Sequence, residues 1–208
     1  MKTAFIIHGY NGDTLYTFGP WLKSELEKKG YTVFLPSFPI RLEATYSSWS
    51  DIMDKYIKYI NSDSIVIAHS IGNPFILQYL VTNNLKIKLY ISVAGFCDIF
   101  KVPNREDLNK AFVNFALTDA QINKCKELIS NRYSLYSDND YVVPFNILKN
   151  FIHRINSVPV FISGTGHMGN RENTVELPQI IDIVNNVLWK FYCFFVWYVV
   201  FSYFAPFK

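Results

Sequence analysis

One serine, flanked by small residues, is the residue of this chain whose surroundings most directly suggest chemistry. Ser70 is the middle residue of A-H-S-I-G, which follows an apolar run at Ser64 to Ala68 and precedes a helical pattern at Asn73 to Val81. A serine on such a tight strand-to-helix turn takes up a strained conformation that tolerates only small neighbours, here Ala68 and Gly72. Its hydroxyl should then point out of the fold, where a hydrolase places its nucleophile. The alternative is a strand-helix turn that merely contains a serine.

Two backbone amides are candidates for stabilising an oxyanion formed at this serine. The N–H of Ile71 directly follows the serine and would lie at a helix N-terminus. The second candidate lies in H-G-Y-N-G-D, residues 8–13, where the glycines permit a tight backbone that could aim the N–H of Tyr10 or Asn11 at the same oxygen. An ordinary glycine turn is the alternative interpretation of this second segment.

A general base for the serine should come from a histidine on a later loop. His167 follows the last predicted strand in S-G-T-G-H, whose two glycines form a loop that can present an imidazole at the strand ends. The alternative is a histidine on a surface loop. The other three histidines fit structural roles better. We expect His8 to be a hydrogen-bonded imidazole, His69 to pack beside the serine, and His153 to lie exposed on a helix.

The partner of this base should be a carboxylate, which would orient the imidazole and stabilise its protonated form. The segment S-D-N-D-Y-V-V-P follows the preceding predicted strand, and Asp140 in it has the favoured spacing before Pro144. Asp138 and Asp98 remain open as alternatives, and so does the interpretation that all three are solvated turn residues. The order serine, aspartate, histidine is the order found in α/β-hydrolases.

Short apolar runs alternate along the chain with longer segments of helical period, which is typical of a parallel sheet covered by helices. The predicted strands are Thr3–Ile7, Thr32–Leu35, Ser64–Ala68, Lys88–Val93, Tyr133–Tyr136 and Pro159–Ile162. The predicted helices are Phe18–Lys29, Trp49–Ile60 capped by Ser47 or Ser48, Asn73–Thr82, Thr118–Ile129 with a Thr118/Gln121 capping box, Pro144–Arg154 and Leu177–Leu188. The segment Phe100–Asn114 is predicted to be a loop or a small lid.

Length and composition narrow the class of protein further. The 208 residues suit one domain with a substantial core, and a net charge of +3 with mixed signs makes a nucleic-acid partner unexpected. Three widely spaced cysteines argue against a disulfide framework and favour a reducing, cytoplasmic compartment. The chain starts directly with a strand, so we expect no signal peptide. It carries no H-E-x-x-H or phosphate-loop lysine motif, and we expect no metal and no cofactor.

Four segments together resemble a known family. They are F-I-I-H-G-Y at residues 5–10, V-I-A-H-S-I-G at 66–72, S-D-N-D-Y-V-V-P at 137–144 and G-T-G-H-M at 164–168. The chain resembles, over residues 1–185, the small single-domain serine hydrolases that include YdeN and retinoblastoma-binding protein nine. The resemblance implies a three-layer α/β-hydrolase fold with a mostly parallel sheet and a minimal lid. It also implies Ser70 as nucleophile, Asp140 as acid and His167 as base.

The function that these expectations support is hydrolysis of a small-molecule ester, or of an amide or thioester, through an acyl-enzyme. A non-catalytic protein-interaction module on the same scaffold is the alternative, since one relative is named for a binding partner.

The segment Phe191–Phe207 is almost wholly apolar and aromatic, and the family does not explain it. We expect a hydrolase domain over residues 1–188 and a tail over 189–208. The tail could associate with membranes, pack on the body or on a second copy, or be a non-native extension.

Overall fold

A computed structural model describes residues 1–187 and places residues 1–176 in one compact unit, with a second unit beginning at Leu177. In the second unit, residues 178–187 are helical. The first unit contains six strands: β1 Thr3–Ile7, β2 Thr32–Phe34, β3 Ile65–His69, β4 Ile87–Val93, β5 Ile129–Tyr136 and β6 Val158–Phe161. Its α-helices are α1 Phe18–Lys28, α2 Tyr46–Met53, α3 Gly72–Thr82, α4 Glu106–Val113, α5 Asp119–Leu128 and α6 Phe145–Ile155.

All six strands pair in parallel, in the order β2-β1-β3-β4-β5-β6. The chain moves outward from β1 to β2, crosses back over β1 to β3, and then adds strands in the opposite direction. Because such crossovers are right-handed, α1 covers one face of the sheet and α2, α3, α5 and α6 cover the other. The contacts of α1 with β1 and β2, and of α3 with α2 and α5, agree with this arrangement. The strand order reverses between β1 and β3, where sheets of this kind bind their ligands.

The central strands are mostly apolar and buried at nearly every position, because both faces of the sheet are covered. Phe5, Ile7 and Val66 point into one cluster with the helices, and the alternate residues Ile6 and Ile67 are equally buried on the opposite face. The first cluster is rich in aromatic rings: Trp49 packs edge-on against Phe75, with ring centroids 5.1 Å apart. This core holds the carboxyl ends of the central strands in a rigid frame.

The second helix differs from its predicted bounds and cap. It begins at Tyr46 and ends at Met53, and a short 3-10 turn at Ile57–Tyr59 follows. The prediction of Ser47 or Ser48 as the cap was wrong, because Thr45 caps the helix. The Thr45 hydroxyl accepts from the Ser48 N–H at 3.1 Å and the Ser48 hydroxyl accepts from the Thr45 N–H at 3.2 Å. The reciprocal pair satisfies two amides that a cap at Ser48 would leave unpaired.

The segment after β4 also differs from its prediction, because part of it is helical. The expected loop or lid at Phe100–Asn114 contains the two-turn helix α4, with Glu106 and Asp107 in its first turn, where negative charge is favourable. The capping box of Thr118 and Gln121 is confirmed at the start of α5. That helix ends at Leu128, and β5 starts at the next residue because Ile129 pairs with Ile87 of β4.

No helix within residues 1–187 is long and apolar enough to cross a membrane. The predictions for the tail, Phe191–Phe207, lie outside the described residues. So does the last residue of the predicted helix Leu177–Leu188.

Candidate active site

Ser70 lies on the tight turn between β3 and α3, as predicted from its pentapeptide. Its φ angle is +53°, in the left-handed region that side chains other than glycine rarely adopt. The backbone holds this conformation from several sides. The Ser70 N–H donates to the Val93 carbonyl at 3.0 Å, and the Ser70 carbonyl accepts from the Asn73 N–H at 3.0 Å and from the Asn73 side-chain amide at 2.9 Å. Strain of this kind persists where the surroundings over-determine it, often at an active site.

The glycine after the serine is needed because backbone passes directly beside it. A Cβ on Gly72 would lie 2.6 Å from the His8 carbonyl oxygen and 3.1 Å from the Ile7 carbonyl oxygen. Gly9, across the sheet on the β1 loop, is similarly close, since a Cβ there would lie 3.1 Å from Ser70 Cβ. The two glycines let the β1 loop approach the serine turn within van der Waals contact.

The three residues predicted as nucleophile, base and acid lie together in one hydrogen-bonded chain. Ser70 Oγ is 3.0 Å from His167 Nε2, and His167 Nδ1 is 2.9 and 3.0 Å from the two carboxylate oxygens of Asp140. Because a carboxylate only accepts, His167 Nδ1–H donates to Asp140 and the Nε2 lone pair accepts from the serine hydroxyl. The residues come from three loops, after β3, β5 and β6.

Asp140 is held in place by backbone amides of its own loop. Its Oδ1 accepts from the Val142 N–H at 2.8 Å and from the Val143 N–H at 2.9 Å, and the side chain is 1% exposed. The carboxylate is thereby fixed in orientation before it meets the imidazole.

The neighbouring residues of the segment S-D-N-D bind the histidine loop to the aspartate loop. Asp138 accepts from the Gly164 N–H at 2.9 Å, and Asn139 Oδ1 accepts from the Gly166 N–H at 2.8 Å. Ser137 Oγ accepts from the Thr165 N–H at 3.2 Å. Hydrogen bonds to Gly164 and Ser163 also lower the pKa of the Asp138 carboxyl. These contacts set the separation of the two loops.

The two alternative aspartates lie away from the imidazole of His167. Asp138 takes part in the loop contacts just described. Asp98 forms an ion pair with Arg154 and accepts from the Asn150 side chain at 2.8 Å. Asp140 is therefore the aspartate that the structure brings to His167.

The remaining histidines take the structural positions expected of them. His8 Nε2 accepts from the Phe38 N–H at 2.8 Å, and burial lowers the pKa of its imidazole. His69 is buried, and burial together with the nearby His167 lowers its pKa to about 3, so it stays neutral. His153 is exposed on α6.

A cavity of about 80 Å³ opens beside Ser70 and His167, with Gly9, Tyr10 and Asn11 on one wall. The Tyr10 loop follows β1, and Ile71 precedes the first residue of α3. Among the hydrogen bonds of the described residues, none is donated by the backbone N–H of Tyr10 or of Ile71. Both amides that the sequence singled out therefore retain their donor capacity next to the serine turn.

Two further residues on the cavity wall, Arg105 and Tyr141, were missed by the sequence analysis. Arg105 precedes α4 in the segment predicted as a lid, and Tyr141 directly follows the acid candidate. Burial and the nearby Glu172 raise the pKa of Tyr141 to about 12, so its hydroxyl stays protonated. Tyr141 could have been found from its position in S-D-N-D-Y, whereas no local signal marks Arg105.

The parallel sheet and the serine turn at its strand-order reversal define an α/β-hydrolase fold. A family profile described as serine hydrolase matches residues 4–186, and the chain belongs to this serine hydrolase family. The family resemblance inferred from the four sequence segments is thereby confirmed.

Individual relatives agree with this assignment. The chain is 27% identical over 191 residues to YdeN of Bacillus subtilis (strain 168), covering 91% of this chain and 97% of that protein. The crystal structure of the ydeN gene product matches with a TM-score of 0.77 at 26% identity, covering 90% of this chain and 99% of that one.

More distant structures share the fold alone. A carboxylesterase structure from Nitrososphaera gargenis matches with a TM-score of 0.67 at 13% identity, covering 90% of this chain and 89% of that one. A serine hydrolase from Cycloclasticus zankles matches with a TM-score of 0.65 at 14% identity, covering 91% and 90%. The predicted α/β-hydrolase fold is thus confirmed.

Proposed function

We propose that this serine hydrolase cleaves the ester of a small molecule, with amides and thioesters as related substrates, by a Ser70-His167-Asp140 triad. The observation that carries the proposal is the hydrogen-bonded chain of these three side chains, with 3.0 Å between Ser70 Oγ and His167 Nε2. This distance lies within the reach that proton transfer from a nucleophile to its base requires.

The geometry supports a two-stage acyl transfer. His167 Nε2 accepts the Ser70 proton as Oγ attacks the carbonyl carbon, and the resulting imidazolium gives that proton to the departing alcohol oxygen. Water then attacks the acyl carbon as His167 accepts its proton, and the imidazolium gives that proton to Ser70 Oγ as the C–Oγ bond breaks, which releases the acid and regenerates Ser70. Asp140 keeps the proton on Nδ1 throughout, so that Nε2 faces the serine.

The backbone N–H groups of Tyr10 and Ile71 serve in this proposal as the oxyanion donors. Ile71 lies at the N-terminus of the eleven-residue helix α3, whose dipole favours negative charge. Loss of one such donor typically costs about 10²–10³-fold in turnover. Neither amide depends on its side chain, so substitution alone leaves the donors in place.

Labelling with a fluorophosphonate probe tests the proposal without knowledge of the substrate, because the probe phosphonylates an activated serine. We expect wild type to be labelled on Ser70, as located by peptide mass spectrometry, and Ser70→Ala and His167→Ala to remain unlabelled. Ser157→Ala is a matched control, since Ser157 is a buried serine whose hydroxyl pairs with that of Ser134 and which does not line the cavity.

Folded wild-type protein that resists the probe would contradict the proposal. That result would favour the alternative of a non-catalytic protein-interaction module on this scaffold. A cytoplasmic location remains a prediction from the odd number and wide spacing of the cysteines.

A further inference from the structure

The cavity beside Ser70 carries a single permanently charged side chain among the described residues that line it. That side chain is Arg105, which lines the cavity together with the apolar Leu108. The described lining residues include no aspartate or glutamate. A substrate in this cavity therefore meets a cation without meeting the counter-ion that balances it.

The counter-ion is Asp107, which hydrogen-bonds the guanidinium along one edge only. Arg105 Nε donates to Asp107 Oδ1 at 3.0 Å and Nη2 donates to Oδ2 at 3.0 Å. Tyr10 adds a third contact to this carboxylate by donating its hydroxyl to Asp107 Oδ2 at 3.3 Å. The two hydrogen bonds from Nε and Nη2 hold the planar guanidinium in one orientation.

One nitrogen of the guanidinium takes no part in the ion pair with Asp107. Nη1 has no hydrogen-bond partner among the described residues, and the Arg105 side chain is 41% exposed. The hydrogen bonds from Arg105 also lower the pKa of Asp107 to about 2, so the pair remains ionised at neutral pH. Arg105 thus keeps its charge and a free donor.

We propose that the substrate is a short ester that bears a carboxylate, and that Arg105 recognises this carboxylate through Nη1. The proposal rests on the proposed hydrolase function and names its substrate class. Because Ser70 and Arg105 line the same small cavity, we expect only a few bonds between the scissile carbonyl and the carboxylate. Half-esters of short dicarboxylic acids fit this description. Water then converts such a substrate into a dicarboxylate and an alcohol.

Matched pairs of esters test the proposal, since within each pair an isopropyl group replaces a carboxylate of the same shape. Monoethyl succinate is compared with ethyl 4-methylpentanoate, and butyryl glycolate with isobutyl butyrate, so that the carboxylate is placed on the acyl side and then on the alcohol side. The readout is the ratio of kcat/KM within each pair at constant ionic strength. We expect wild type to prefer the anionic ester of at least one pair by about tenfold or more, the size of a charge-assisted hydrogen bond.

Variants test whether Arg105 causes this preference for the anionic ester. Arg105→Gln should lower the anionic-to-neutral ratio by about tenfold, and Arg105→Lys should retain part of it. Lys110→Gln is the control, because Lys110 is an exposed cation on the adjacent helix α4 and does not line the cavity. Its ratio should equal that of wild type.

Three results would overturn the substrate class. They are equal turnover of both esters in both pairs by wild type, an equal loss for both esters in Arg105→Gln, and labelling of Ser70 by a fluorophosphonate without turnover of either anionic ester. In each case the proposed hydrolase function stands. Failure of both labelling and ester turnover would instead remove the proposed function together with the substrate class.

Discussion

His69 Nε2–H donates to the backbone carbonyl of His167 at 2.9 Å, and so joins the residue before the nucleophile to the loop that carries the base. The bond spans 98 residues of sequence and is fully buried. Within residues 1–187, His69 Nδ1 has no hydrogen-bond partner, and a Cβ on Gly9 would be 3.1 Å away from it. A proton on Nδ1 would be buried without an acceptor, which agrees with the lowered pKa of this imidazole.

Because the pKa of His69 is lowered in the folded protein, we expect its titration to make the free energy of unfolding depend on pH. Its pKa is about 3 in the folded protein and about 6.5 in an unfolded chain. Between these values the unfolded state binds a proton that the folded state does not, so the free energy of unfolding falls as the pH falls. The slope from one such proton is at most about 1.4 kcal/mol per pH unit.

Urea unfolding of wild type and His69→Gln at pH 7, 6 and 5 measures this contribution. Glutamine can still donate to the His167 carbonyl but does not titrate, so its curve should be flatter by up to the slope given above. The lowered pKa of His8 contributes equally to both proteins and cancels in the difference. Identical slopes would contradict the assignment of the effect to His69.

Asp140→Asn should leave the fold intact and lower ester turnover by about 10³–10⁴-fold. The amide can present a donor to His167 Nδ1 and thereby favour the wrong tautomer. Steady-state kinetics with a neutral ester measure the loss, and circular dichroism checks the fold. Asp138→Asn is the comparison, with a far smaller loss expected because Asp138 contacts Ser163 and Gly164 instead of the imidazole. A severe effect in Asp98→Asn alone would show that the acid is misassigned.

Gly72→Ala should disturb both the stability and the reactivity of the serine turn. The new Cβ would lie 2.6 Å from the His8 carbonyl oxygen, so the β1 loop must move away from the turn. Overpacking of this kind costs about 1–3 kcal/mol, which chemical denaturation can measure. We also expect slower fluorophosphonate labelling of Ser70.

Lys110→Ala, an exposed substitution on the helix α4, provides the control for Gly72→Ala. It should change the free energy of unfolding by no more than about 0.5 kcal/mol. Equal stability of the Gly72→Ala variant and wild type would show that the loop yields without cost.

Deletion of Phe191–Lys208 should leave a folded protein that is labelled on Ser70. Every strand of the described residues, and every proposed catalytic residue, lies upstream of residue 191. Circular dichroism, thermal unfolding and probe labelling of the truncated protein measure the outcome. Loss of the folded state would show that the tail belongs to the domain core, against the predicted boundary at residue 188.

The positions of Ser70 and His167 could be predicted because their signals are local. Small residues around a serine at a strand-to-helix boundary, and glycines around a histidine after a strand, each describe a backbone conformation within a few residues. The strands could be found for a similar reason, since burial on both faces makes each central strand a mostly apolar run. The start of β5 could not be placed this way, because Ile129 is a strand residue through its pairing with Ile87.

The sequence by itself determined the class of fold and the candidates for nucleophile, base and acid. The sequence favoured Asp140 over Asp138 by its spacing before Pro144, but only the tertiary structure shows that its carboxylate meets an imidazole 27 residues further along the chain. Only the tertiary structure shows that Arg105 lines the cavity and that the Tyr10 hydroxyl hydrogen-bonds Asp107, 97 residues further along the chain. Such contacts join strand-end loops that are distant in sequence, and their geometry is set by the packing of the sheet and its helices.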